Sequence, residues 1–110
     1  MRTENKQIYA GTVNANGDSY ATPVNVKSAG EVVLFLDVTE VVGVGGLVVS
    51  LMTQDEISGK WFLIGNFSSK SAASTDITYI INGLGSSIAC SWILTPGSQF
   101  TFALNASIKD

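Results

Sequence analysis

Acid–base and nucleophilic chemistry need titratable groups that converge, and this chain offers few that could. Its 110 residues include no histidine, which removes the commonest general base. Asp55 and Glu56 are adjacent carboxylates in a turn-like stretch. Neighbours on a turn point apart into water, so they read as a solvated turn and not as a paired acid and base. Cys90 is the single cysteine, so no intrachain disulfide can form. It lies in an apolar run with no base or cation close in sequence, and reads as a small core hydrophobe. We expect no catalytic residue and no enzyme activity.

Metal and cofactor chemistry fare no better. Zinc would need clustered Cys and His, and an EF-hand loop would need alternating acidic ligands ending in Glu. Asn14–Ala15–Asn16–Gly17–Asp18 carries oxygen ligands, but its Asn-Gly pair predicts a hairpin turn. Gly43–Val44–Gly45–Gly46 leads into Leu47–Val48–Val49 with no Lys nearby, so it reads as a flexible link and not as a phosphate loop. No cofactor and no metal are expected. Trp61, Trp92, Tyr9, Tyr20 and Tyr79 could stack on sugars, although Trp61 and Trp92 fall on positions that read as core.

The charge balance excludes further partners. Six Lys/Arg against nine Asp/Glu give a net charge of −3, and the basic residues are scattered. No patch exists to neutralise a row of phosphates, so nucleic acid is not an expected ligand. The apolar or glycine run Val41–Val49 is too short to span a bilayer. No apolar stretch follows Met1–Gln7, so export by an ordinary N-terminal signal is not expected. With 45% hydrophobic and 14% charged residues, the chain should fold as one domain.

The elements that would position any site are strands. Gln7–Val13, Ser19–Val26, Glu31–Val42, Gly46–Gln54, Lys60–Phe67, Asp76–Ile81, Ile88–Leu94 and Gln99–Ile108 are short, rich in β-branched and aromatic residues, and bounded by turn formers. Turns are predicted at Glu56–Gly59, Asn82–Gly85 and Pro96–Gly97. The fold class is all-β: an antiparallel β-sandwich of about eight strands, jelly-roll-like, over residues 7–110. Residues 1–6 read as a flexible N-terminal arm.

Alternation assigns faces. Leu34, Leu36, Val49, Leu51, Trp61, Leu63, Trp92, Phe100 and Phe102 are expected in the core. The opposite positions of the middle strands are also apolar: Val33, Phe35, Val48, Met52, Phe62 and Ile64. A solvated sheet face should not look like this, so either a loop or a neighbouring subunit covers it. We expect these six residues to form an interface.

Several segments prompt a comparison: Leu36–Asp37–Val38–Thr39, Leu47–Gln54, Ser58–Gly59–Lys60–Trp61, Ile64–Phe67, Ser91–Trp92 and Pro96–Phe102. In these the chain resembles a family of short β-sandwich proteins encoded among phage and prophage structural genes, over about Val32 to Ile108. The family carries an Arg before its Ser-Trp-like strand, where this chain has Ile88–Ala89–Cys90. The resemblance implies a virion component made in the host cytoplasm, foremost a capsid decoration protein. Its partners would be the major capsid protein and itself, as a homotrimer on the local three-fold sites of a capsid. The other function class is a carbohydrate-binding sandwich for attachment to a host surface. That class requires Trp or Tyr rings open beside polar loops, whereas a decoration protein requires a self-complementary apolar patch.

Overall fold

The computed structural model describes residues 3–26, 30–80 and 85–109, with residues 79 and 80 described by backbone alone. The predicted turn at Asn82–Gly85 lies largely outside them. Nine strands follow one another, with no helix among the described residues. They are β1 (Thr3–Val13), β2 (Gly17–Asp18), β3 (Val24–Asn25), β4 (Glu31–Val42), β5 (Leu47–Gln54), β6 (Trp61–Asn66), β7 (Ser74–Ile80), β8 (Ser87–Leu94) and β9 (Gln99–Lys109). One sheet has the order β1-β9-β4-β7. The other has β2-β8-β5-β6, with β3 also on β8. Every strand pairing is antiparallel. The protein is an antiparallel β-sandwich, as its alternation predicts.

The core is the space between the two sheets. β9 supplies Phe100, Phe102, Leu104, Ala106 and Ile108 from alternate positions, and β4 supplies Val32, Leu34, Leu36 and Val38. Facing them, β5 gives Leu47, Val49 and Leu51, and β8 gives Ile88, Cys90, Trp92 and Leu94. Each strand has a period of two because successive side chains leave a pleated strand on opposite sides. The β9 positions between them carry Thr101, Ala103, Asn105 and Ser107, a small and polar outer face.

Three expectations need correction. The segment Ser19–Val26 is not one strand: β2 and β3 flank a turn over Ser19–Thr22, closed by the Thr22 amide donating to the Ser19 carbonyl at 3.1 Å. Asn16–Gly17 does not turn a hairpin either. β1 pairs with β9 while β2 pairs with β8, so the chain there changes sheets. Thr3–Lys6, expected within a flexible arm, are strand residues opposite Lys109–Ala106. Polar side chains do not oppose this, because an edge strand is held through its backbone and charged edges discourage further pairing.

Trp61 and Leu63 are the core assignments that fail. Leu63 is 60% exposed. Opposed residues of a pair share a face, and here Trp61 faces Gln54 and Leu63 faces Met52. Those β5 positions point outward. A bulge between Leu51 and Met52 puts an extra residue, Ile64, into β6, and an inserted residue reverses the alternation across it. Phe67, beyond the bulge, returns to the core at 3% exposure.

The face assignment has a measurable consequence. Phe102→Ala should cost about 3–5 kcal/mol, whereas Leu63→Ala should stay within about 0.5–1 kcal/mol. Denaturant titration of both variants reads the difference; comparable losses would contradict the register of β6.

Candidate functional site

The six residues expected at one interface do not share a face. Val33 and Phe35 lie on the outer face of the sheet containing β4, where Phe35 is opposite Ile77 on one side and Asn105 on the other. Val48 and Met52 lie on the outer face of the second sheet, opposite Ile93 and Ala89. Phe62 is opposite Thr53, whose side chain is buried, so it faces inward near an open end and is 52% exposed. Ile64 packs against the core. The single patch expected from the sequence assumed that the third, fourth and fifth predicted strands share a sheet, and they do not.

On the first outer face, Phe35 is 43% and Ile77 59% exposed. Together with Leu36, Asp37, Thr75, Asp76 and Asn105 they line a shallow groove of about 450 Å³. Its edge is fixed by an ion pair: Lys70 Nζ lies 2.6 Å from Asp76 Oδ2. Lys70 itself is bonded through its backbone to Leu47, both ways, at 2.8 Å. Asp76 is in β7 and Leu47 in β5, so this pair ties one sheet to the other. The Lys70 ammonium, and then the Ile77 amide, hold the Asp76 carboxyl below its ordinary value of 3.8.

The second outer face carries an aromatic bridge. Tyr20 and Trp61 stack with centroids 4.7 Å apart and planes 5° from parallel. Tyr20 belongs to the turn between β2 and β3, beyond β8, and Trp61 begins β6 at the opposite edge. At about 4.8 Å per strand spacing, their backbones stand roughly three spacings apart, so the two side chains reach toward each other across the face. Both rings are half-buried.

Each anchor is built locally. Asp18 Oδ1 accepts from the Tyr20 amide at 3.1 Å. The Ser19 amide donates to the Cys90 carbonyl at 2.9 Å and the Cys90 amide to Ser19 Oγ at 3.0 Å, which fixes the turn to β8. At the other edge, Asp55 closes the β5–β6 hairpin. Its carboxylate accepts from the Ile57 amide at 3.1 Å, the Ser58 amide at 3.3 Å and the Ser58 hydroxyl at 2.7 Å. Those bonds, the Ser58 hydroxyl first, hold the Asp55 carboxyl below its ordinary value. Gly59 takes φ +73°, which favours glycine. Asp55 therefore shapes a turn.

Cys90 also has a structural place, on β8 behind Ser19. Burial pushes the Cys90 thiol up to about 11, against the opposing Ser19 hydrogen bond, so it is protonated at neutral pH and poorly nucleophilic. Among the described residues, no three His, Cys, Asp or Glu converge to hold a metal.

No family model matches the chain, and no curated protein matches it by sequence. Solved structures do. The crystal structure of PirA is 13% identical with a TM-score of 0.50, covering 96% of this chain and 92% of that one. A carbohydrate binding module from Cellvibrio mixtus lichenase 5A, in complex with cellotriose, is 14% identical with a TM-score of 0.45, covering 94% and 85%. At 13% identity the likeness to PirA is one of fold.

Two predictions follow from these contacts. A double-mutant cycle on Tyr20→Ala and Trp61→Ala should give a coupling of about 0.5–1.5 kcal/mol; a coupling indistinguishable from zero would mean the rings do not meet in solution. The second concerns acid. A lowered carboxyl contributes stability that is complete above the ordinary value of 3.8 and fades as pH falls through the folded-state value. Asp76→Asn should therefore weaken the protein at neutral pH and flatten the acid limb of its stability curve, as followed by melting temperature from pH 7 to pH 2.

Proposed function

We propose that this protein is a non-enzymatic structural component of a tailed-phage virion, bound to the outside of the capsid as a decoration protein. One structural observation carries the reading: the outer face around Phe35 and Ile77 is apolar and open. Such a face in water favours association. The resemblance through Leu36–Thr39, Ser58–Trp61 and Pro96–Phe102 supports a capsid as the place where that happens. The partner is the major capsid protein, and the trimeric state follows from the local three-fold symmetry of capsid lattices. Closed cyclic symmetry lets each copy present the same face to equivalent shell sites.

A second reading, a carbohydrate-binding sandwich, is favoured by the Tyr20–Trp61 stack, which puts Trp61 outside the core and beside loops.

Purified protein should co-sediment with capsids assembled without it and scatter light as a trimer. Phe35→Ser combined with Ile77→Ser should abolish co-sedimentation while keeping a cooperative melt. Wild-type protein that stays in the supernatant would sink the capsid reading.

A further inference from the structure

The two tryptophans differ in what their indole N–H groups do. Trp92 is 6% exposed and donates through Nε1 to the Ala15 carbonyl at 3.0 Å. The Trp61 ring has a stacking partner, but its indole N–H has no hydrogen-bond partner among the described residues, and the Tyr20 hydroxyl has none there either. Neither atom is a fully buried polar group left without a partner, and both rings are half-buried. An aromatic surface with free polar atoms at its rim is what a sugar ring uses, apolar C–H groups on the ring faces and hydroxyls at the edge.

The surrounding side chains narrow the ligand. Register places Gln54 opposite Trp61, Ser87 opposite Gln54, and Asn25 opposite Ser87, in one row across four strands. Ser50 and Ser91 pair on the same face two residues further along β5 and β8 from Met52 and Ala89. Among the described strand residues of this face, Asp18, opposite Ser91, is the charged one. Amides, hydroxyls and one carboxylate suit neutral hydroxyl-rich ligands and oppose anionic ones.

We infer that the Tyr20–Trp61 bridge, with Gln54 and Ser87 beside it, is a binding site for neutral pyranosides. The inference rests on the carbohydrate-binding reading and is independent of capsid attachment. Gln54 donates through Nε2 to the Gly59 carbonyl at 3.1 Å, so the saccharide packs its C–H face on the open part of the aromatic pair and hydrogen-bonds to Gln54 Oε1 and the Ser87 hydroxyl.

Isothermal titration calorimetry of the full chain tests it with glucose, galactose and N-acetylglucosamine trisaccharides, and with a sialylated trisaccharide as the anionic arm. Saturable binding of at least one neutral sugar is expected, with no binding of the sialylated one. Trp61→Ala should weaken binding about tenfold, the loss of one aromatic contact, with a melt recorded to confirm folding. Tyr20→Phe keeps the stack, folds as wild type, and should weaken binding less. Sugar binding that survives Trp61→Ala unchanged overturns this site while leaving the carbohydrate-binding reading standing. No heat with any neutral sugar overturns both.

Discussion

The contact on which the sandwich depends is aromatic. Tyr9 from β1, Phe102 from β9 and Trp92 from β8 meet with centroids 4.5 to 5.7 Å apart. Two of these strands belong to one sheet and the third to the other, so the cluster is where the layers are joined. Trp92 packs edge-on to Phe102 at 73°, a geometry that aromatic quadrupoles favour. Its fit dictates backbone elsewhere. A Cβ on Gly17 would come within 2.8 Å of the Trp92 ring, so the strand that crosses from one sheet to the other must be bare at that point. The glycine of the Asn-Gly pair is there for close approach: its φ is not among the positive ones. Asn16 has its own task, accepting the Leu94 amide through Oδ1 at 2.9 Å.

From that junction the chain repeatedly changes layers. β2–β3 and β5–β6 stay within a sheet, and the other connections cross. Sequence neighbours such as β4 and β5 thus lie back to back, with their inner faces sharing a core and their outer faces directed away from each other. The two outer faces can then differ in chemistry, one apolar around Phe35 and Ile77, the other aromatic and polar around Tyr20, Trp61 and Gln54.

This topology marks the boundary of what the sequence shows. Period-two alternation is local, and it identifies the inward set Leu34, Leu36, Val49, Leu51, Trp92, Phe100 and Phe102, all of them buried. Sheet membership is not local. Nothing in Val33, Phe35, Val48 and Met52 tells which of them share a layer, and treating them as one patch merged two opposite surfaces. The bulge in β6 is equally silent, because Trp61–Phe62–Leu63–Ile64 is apolar at every position and no polar residue marks its solvent side. The Tyr20–Trp61 stack joins residues 41 positions apart across a whole sheet, and only their aromatic character was legible.

Both ends of that stack are made rigid by short-range bonds from aspartates, Asp18 on one side and Asp55 on the other. A ring carried on a locked turn loses little further freedom when it engages a ligand, so more of the contact energy appears as affinity. The same locks make the bridge useful without a ligand, since it ties the β2–β3 turn to the start of β6 at the other edge of the sheet. A bridge that served only as a latch would gain from enclosing its polar atoms in hydrogen bonds, as Trp92 does with Ala15. Trp61 and Tyr20 make no such bond among the described residues. The apolar groove lies on the opposite side of the molecule, so a protein surface seated against Phe35 and Ile77 would leave the aromatic face directed outward.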